Sequence, residues 1–138
     1  MKKSILILLF VSLLFSCSNS DSSNSSSTNN KSFHPPSWIQ GTWVQYFDNV
    51  TSGSGYKFTS DNVCQVLPGY QQCFKEMLDI YSNPNVVVTV NESINTNTEY
   101  KFSYTIQSVT SEYYFKKGTV NNTIYQISGG NEIEFTKQ

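Results

Sequence analysis

Apolar and polar side chains alternate without a break through residues 100–107, whose sequence is YKFSYTIQ. This two-residue period predicts a β-strand with one buried and one solvated face. Residues 86–90, VVVTV, are all β-branched and predict a second strand, with the first, third and fifth side chains facing inward. Residues 113–116 predict a third strand, ended by the turn Lys117-Gly118. The central part of the chain is therefore expected to form a sheet.

Further short runs extend this pattern in both directions along the chain. Residues 124–127 and 132–136 flank the sequence SGGN, and two alternating runs around a Gly-Gly turn predict a hairpin. Toward the N-terminus, strands are expected at 42–47 and 56–59 around Gly53-Ser54-Gly55, and at 63–67 after a turn at 60–62. Eight short strands separated by turn residues favour an all-β sandwich or barrel.

One segment follows a helical period instead. Residues 73–81 place apolar side chains at Phe74, Met77, Leu78 and Tyr81, which share one face of a helix. We expect a short helix between strands, while an irregular loop is the alternative. The simplest role for its apolar face is a lid over the end of the barrel, and a gate for a ligand is the sharper alternative.

The N-terminus has the layout of a secretory signal. Lys2 and Lys3 precede an apolar run that is too short for a spanning helix, which needs about 20 residues. The sequence Leu14-Phe15-Ser16-Cys17 resembles a bacterial lipobox. That resemblance implies cleavage after residue 16 and a lipid on Cys17; an ordinary signal peptide that leaves Cys17 as a free thiol is the alternative.

Residues 17–34 are expected to tether the folded domain to the membrane. From Ser18 to Lys31 the chain has no apolar residue, so it cannot bury enough surface to offset the entropy lost on ordering. We therefore place a single folded domain at residues 35–138. By resemblance to known sorting signals, Ser18 after the lipidated cysteine suggests the outer membrane of the cell envelope; the periplasmic face and the cell surface both stay open.

Charge and composition argue against several classes of partner. Removal of residues 1–16 takes away Lys2 and Lys3 and moves the net charge from −1 to −3. All basic residues of the chain are lysines, and nucleic-acid binders normally show a basic patch rich in arginine. Nucleic acid is therefore not expected as a partner, and nothing in the sequence calls for a cofactor.

Cys64 and Cys73 are the cysteines that remain after lipidation. Because the compartment outside the inner membrane is oxidising, we expect them to form a disulfide. Free or metal-bound thiols are the alternatives. A metal would need more ligands, and the one histidine, His34, lies in the expected tether.

The sequence Gly41-Thr42-Trp43 opens the first expected strand, and it resembles the Gly-x-Trp motif of the lipocalin superfamily. The chain is most similar to small lipocalin-like lipoproteins of Bacteroidetes, in which a segment like Phe58–Asn62 forms a strand and turn. The resemblance implies a small antiparallel up-and-down β-barrel of about eight strands, into which the helix expected from the spacing in residues 73–81 is inserted. It also implies that a basic residue near the C-terminus, here Lys137, packs over Trp43.

The expected function is binding without catalysis. The barrel mouth would take a small apolar or amphipathic molecule, with Phe102, Tyr104 and Tyr125 as candidate lining residues. A barrel filled by its own side chains is the alternative, and it favours a protein-interaction module such as an accessory subunit, an inhibitor or an immunity lipoprotein. No catalytic or metal site is expected, because Glu132 and Glu134 share a solvated strand face on which nothing raises a carboxyl pKa.

Overall fold

The computed structural model describes residues 30–138, which form an all-β, barrel-like fold with one short helix. The elements in chain order are β1 (Gly41–Phe47), β2 (Val50–Phe58), β3 (Val63–Leu67), β4 (Tyr70–Cys73), α1 (Phe74–Tyr81), β5 (Val88–Asn95), β6 (Glu99–Ile106), β7 (Val109–Lys117), β8 (Thr123–Ser128) and β9 (Asn131–Lys137). The predicted fold class is confirmed. The expected signal peptide, Cys17 and most of the expected tether lie outside the described residues.

All nine strands belong to one antiparallel sheet in the order β4-β3-β2-β1-β9-β8-β7-β6-β5. Pairing of β1 with β9 brings the two ends of the domain together, so the sheet is a meander that curls on itself. The edge strands β4 and β5 are not paired with each other. The barrel is therefore open along one side, between β4 and β5. Strand β4 was not predicted from the sequence pattern.

The antiparallel order places the turns at two opposite ends. The turns 48–49, 68–69, 107–108 and 129–130 lie at one end, which we call the open end. The turns 59–62, 96–98 and 118–122 lie at the other end together with the turn at 37–39, and we call this the closed end.

The first hairpin turns at Asp48-Asn49 and not at Gly53-Ser54-Gly55, so that expectation was wrong. Asp48 and Asn49 both adopt positive φ, at 49° and 65°, as a two-residue turn with the twist of the flanking strands requires. Gly55 lies inside β2, where an added Cβ would be 1.8 Å from the carbonyl oxygen of Trp43. This glycine is thus needed for close strand approach rather than for a turn.

Aromatic rings fill the interior of the barrel. The fully buried rings are those of Phe33, Phe58, Phe74, Tyr100, Phe102 and Phe115. Phe58 and Phe115 meet edge to face with centroids 5.1 Å apart, and Phe102 stacks on Tyr113 at the same separation. Such pairs add to the stability gained by burying the rings.

Helix α1 confirms the predicted helix, but it covers the open side of the barrel rather than its end. The buried face of the helix carries Phe74 and Leu78. The ring centroid of Phe74 lies 5.2 Å from that of Tyr104 on β6. The N-terminus of the helix is held by Asn62 from the β2–β3 turn. The Asn62 Oδ1 atom accepts hydrogen bonds from the backbone N–H groups of Val63 and Lys75, while its Nδ2 donates to Glu76.

Residues 30–38 run along the free edge of β5 and close the rest of the gap. The Val90 N–H donates to the Asn30 carbonyl, and the Asn95 side chain donates to the His34 carbonyl. Phe33 is completely buried, although this residue was expected to belong to the tether. The packed part of the chain therefore begins before residue 35, the boundary expected from the sequence.

Candidate functional site: the mouth of the barrel

The Gly-x-Trp segment seals the closed end. Lys137 on β9 reaches across so that its Nζ lies 5.2 Å from the ring centroid of Trp43, which is the contact expected from the sequence. Gly41 has a φ of +128°, and an added Cβ there would lie 2.6 Å from Cε of Lys137. The Trp43 indole N–H donates to the Ile39 carbonyl. The motif is thus a packing device, with a glycine that leaves room for the lysine stem.

A disulfide joins Cys64 and Cys73, as the sequence predicted. The two residues are directly paired across β3 and β4, and Cys73 also immediately precedes α1. The bridge therefore fixes the short edge strand β4 and the start of the helix to the sheet.

The expected ligand-lining residues do not form a common wall. Phe102 is fully buried and touches Phe33 edge-on, with centroids 5.4 Å apart, so it fills the interior. Tyr104 is partly buried between Phe74 and Tyr113. Both side chains pack against neighbouring rings, and neither lines the cleft described below.

Tyr125 faces the outside of the barrel, so its assignment to the interior was wrong. Its neighbours Ile124 and Gln126 on β8 are the inward residues: Ile124 is buried, and Gln126 bonds to Tyr56 in the interior. A hydrogen bond to the Glu134 carboxylate on the adjacent strand raises the pKa of Tyr125. The alternation along β8 is simply in the opposite phase to the one assumed.

The mouth of the barrel, which lies at the open end, holds a shallow cleft of about 190 Å³, which we call the amide cleft. Its polar lining comes from Gln45 on β1, Ser54 on β2, Gln65 on β3 and Gln126 on β8. Its apolar side is formed by Tyr56, Val66, Leu67, Ile133 and Phe135. No charged side chain contributes to this lining.

Two of the three amides in this cleft are free to bind. The Tyr56 hydroxyl donates to Oε1 of Gln126 at 3.2 Å, which leaves the amino group of that amide available. The side chains of Gln45 and Gln65 make no hydrogen bond with any residue from 30 to 138, and both are half-buried. An amide carries two donors and an acceptor, so these side chains suit a neutral ligand with hydroxyl or amide groups.

The tyrosines below the cleft are kept neutral. Burial is the main cause that raises the pKa of Tyr56 and of Tyr113 above the usual value for a phenol. For Tyr113, the neighbouring hydroxyl of Tyr104 acts in the same direction. Both phenols therefore stay protonated at neutral pH, and the Tyr56 hydroxyl is engaged as a donor to Gln126.

A second polar cluster surrounds Glu92, at a bulge in β5. One carboxylate oxygen accepts from the Tyr100 hydroxyl at 2.6 Å and from the His34 backbone N–H at 2.7 Å, while the other contacts His34 Nδ1 at 2.9 Å. The pKa of Tyr100 is raised, first by burial and then by this carboxylate. Because the carboxylate is occupied by these bonds, the cluster acts to dock the N-terminal segment on the sheet.

Larger grooves lie elsewhere on the surface, among them one of about 270 Å³ between β4 and α1. A groove of about 320 Å³ between β2, β3 and α1 is crossed by the ion pair of Asp61 and Lys75, whose hydrogen bond lowers the pKa of Asp61. Another of about 330 Å³ lies beside Trp43 and Lys137 at the closed end. Their lining includes charged side chains, some of them already paired, in contrast to the amide cleft.

Within residues 30–138, no three His, Cys, Asp or Glu side chains are placed to share a metal ion. Over the same part of the chain, no helix has the length and apolar character needed to cross a membrane. The amide cleft is a feature that sequence reasoning missed. Its signal was the set of glutamines at inward strand positions, and it depended on the correct phase of β8.

Comparisons with protein-family models, with curated proteins and with solved structures find no match to this chain.

Proposed function

We propose that the chain is a lipid-anchored protein of the bacterial cell envelope whose barrel binds a small amphipathic ligand at its mouth, without catalysis. The proposal for the anchor is supported by the lipobox-like sequence that ends at Cys17. The proposal for binding is carried by one observation, the unpaired amides of Gln45 and Gln65 beside an apolar floor.

The size and lining of the amide cleft define the ligand. Its volume of about 190 Å³ is below the roughly 300–1,000 Å³ of pockets for drug-sized molecules, so it accommodates one small unit or one end of a larger molecule. Phe135 and Ile133 supply an apolar face, and the amides supply both donors and acceptors. A neutral ligand with one polar and one apolar side fits this arrangement.

The packed interior favours a second candidate, a protein-interaction module. Because buried aromatic rings occupy the core, the barrel holds its ligand at the surface and not deep inside. A protein segment could present an amide or hydroxyl to the same cleft and bury more of the rim around it. Cross-linking in intact envelopes separates the two candidates, since a partner protein gives a defined cross-linked band and a small ligand does not.

The ligand proposal is tested by native mass spectrometry of protein extracted from its own envelopes. We expect a small-molecule adduct on the unaltered protein that is lost in Gln45→Ala and in Gln65→Ala. Gln71→Ala removes an exposed amide on β4 and serves as the matched control. Absence of any adduct, or equal loss in the control, would contradict the proposal. The intact mass of the same sample tests the anchor, because a lipidated Cys17 adds the mass of its acyl chains.

A further inference from the structure

The described chain joins the barrel on the side of the open end. Asn30 lies beside Val90, which pairs with Tyr104 in the half of β5 nearer the open end. From there the chain runs toward the closed end, where the Trp38 indole donates to the Thr96 carbonyl. The described part of the chain therefore begins on the side of the open end.

The distance from the anchor to this point is limited by the length of the chain. This step rests on the proposed lipidation of Cys17. Thirteen residue steps separate Cys17 from Asn30, and a fully extended chain covers at most about 3.6 Å per residue, so the two residues lie within about 47 Å of each other. A nine-residue strand such as β2 is itself about 30 Å long. A tether of this length therefore allows the open end to reach the bilayer that holds the anchor, and the exposed side chains decide which end rests on it.

Exposed apolar side chains are concentrated at the open end. Phe47 and Val50, which flank the first turn, are 61% and 68% exposed, and Val109 beside the third turn is 68% exposed. Other exposed apolar side chains at or near this end are those of Tyr46, Leu67, Tyr70 and Val87, with Ile80 and Tyr81 in the last turn of α1. Among the described residues, Val120 is the exposed large apolar side chain at the closed end.

Charge is distributed in the opposite way. The hairpin tips of the open end, residues 47–50, 67–70, 106–109 and 128–131, contain one charged residue, Asp48, and no lysine. Lys57, Lys75, Lys117 and Lys137 lie toward the closed end. An interaction of the open end with a bilayer would therefore depend on insertion of apolar and aromatic side chains and not on attraction to anionic lipids.

From the entry point of the chain and the position of the exposed apolar tips, we infer that the open end of the barrel rests on the membrane that holds the lipid anchor. Phe47, Val50 and Val109 enter the headgroup region, and Tyr70 lies at its boundary, where aromatic side chains with a polar tip are favoured. In this orientation the amide cleft faces the lipid surface. The lysines of the closed end point away from it.

Paramagnetic relaxation in nanodiscs tests this orientation on the full, lipidated mature protein. The discs contain a zwitterionic lipid and a small fraction of lipid with a spin label on its headgroup. We expect the amide signals of residues 47–50, 67–70 and 106–109 to lose more than half of their intensity, and those of residues 59–62, 96–98 and 118–122 to keep theirs. Because the hairpin tips of the open end carry no lysine, and the nearby Lys31 is paired with Asp79, the pattern should be unchanged at high salt.

Equal losses at both ends, or larger losses at the closed end, would overturn the inference. The same would follow if the open-end signals were insensitive to the labelled lipid, as expected for a surface reserved for a protein partner. Phe47→Ser with Val50→Ser should reduce the losses at the open end at least two-fold, while Val120→Ser, an exposed valine at the closed end, should not. Intact mass of the same sample reports on Cys17 separately, so failure of the anchor and failure of the orientation are distinguished.

Discussion

The ring of Phe33 meets the ring of Phe102 edge-on, with centroids 5.4 Å apart in the interior of the barrel. Phe33 belongs to the segment that precedes β1, and Phe102 lies in the middle of β6. The contact therefore makes the N-terminal segment part of the core. A membrane anchor upstream of residue 30 would be connected directly to the packed barrel.

Phe33→Ala tests whether this segment is structural. The substitution removes a completely buried ring that also contacts Phe74, so we expect the free energy of unfolding to fall by about 3–5 kcal/mol. Chemical denaturation measures the change. Ser32→Ala, at an exposed neighbouring position, is the control and should change the stability by less than about 0.5 kcal/mol. Equal stabilities for both variants would show that residues 30–34 are only a linker.

Asn62→Ala should destabilise the attachment of α1. The Asn62 side chain satisfies two backbone N–H groups, one of them at the start of the helix, and its removal leaves these donors without a partner. We expect a loss of about 1–3 kcal/mol in the free energy of unfolding. Thermal denaturation of Asn62→Ala and of Asn121→Ala, an exposed asparagine in the β7–β8 turn, gives the comparison. An identical melting temperature for both would contradict the role of the Asn62 side chain in holding the start of α1.

Reduction of the Cys64–Cys73 disulfide should lower stability by about 2–3 kcal/mol, the value for a closed loop of about ten residues. The loss is expected to be local at first, because the bridge holds β4 and the start of α1 to β3. Hydrogen exchange with and without reductant locates it. Faster exchange confined to residues 64–81 is the expected result, and unchanged exchange throughout would show that the bridge has no structural role.

Stability should decrease at alkaline pH. The pKa values of Tyr56, Tyr100 and Tyr113 are all raised in the folded protein, chiefly by burial, whereas an unfolded tyrosine ionises near pH 10. Below pH 10 these phenols are neutral in both states. Above pH 10 the unfolded state loses protons that the folded state keeps, so each such tyrosine lowers the free energy of unfolding as the pH rises. For the fully buried Tyr100 the decrease is at most about 1.4 kcal/mol per pH unit, until the pH reaches its folded-state pKa.

Denaturation at pH 9, 10 and 11 measures this slope. Tyr100→Phe removes one of the buried phenols and should make the decrease above pH 10 less steep, whereas Tyr46→Phe, at an exposed position, should leave it unchanged. The slope is the relevant quantity, because Tyr100→Phe also removes a hydrogen bond to Glu92 at every pH. An unaltered slope in Tyr100→Phe would contradict the assignment of the effect to this phenol.

Local patterns were sufficient to predict most of the sheet, the helix and the disulfide. The alternation in residues 100–107 and the helical spacing of Phe74, Met77 and Leu78 each report which face of an element is buried. These features depend on residues close in sequence. The same reasoning applies to the turn at Gly129-Gly130, whose positive φ values suit glycine.

The features that were missed depend on contacts between distant residues. Gly55 suggested a turn from its sequence alone, but in the structure it allows β2 to approach Trp43 closely. The turn of the first hairpin lies at Asp48-Asn49 instead. Phe33 looked like an isolated apolar residue in a polar tether, because its partners lie on α1 and β6. Tyr125 was placed on the wrong face because β8 is short and has apolar residues on both faces, so its sequence does not fix the phase of the strand.

The amide cleft could not be predicted, since its lining comes from β1, β2, β3, β8 and β9. Each glutamine alone has the appearance of a surface residue. Their proximity follows from the pairing of β1 with β9, which places the first and last strands side by side. Sequence reasoning took the mouth of the barrel as a candidate site, but it assigned the site to Phe102 and Tyr104, which pack in the core, and to Tyr125, which faces outward.

The central claim, that this protein binds its ligand at the amide cleft, is tested most directly by amide chemical-shift mapping of the full mature chain. The probe is the small molecule released from protein purified from its own envelopes, added back to a ligand-free sample. We expect shift changes centred on Gln45, Gln65 and Gln126, with none in the groove beside Trp43 and Lys137. Changes centred on that groove, or no changes at saturating ligand, would contradict it.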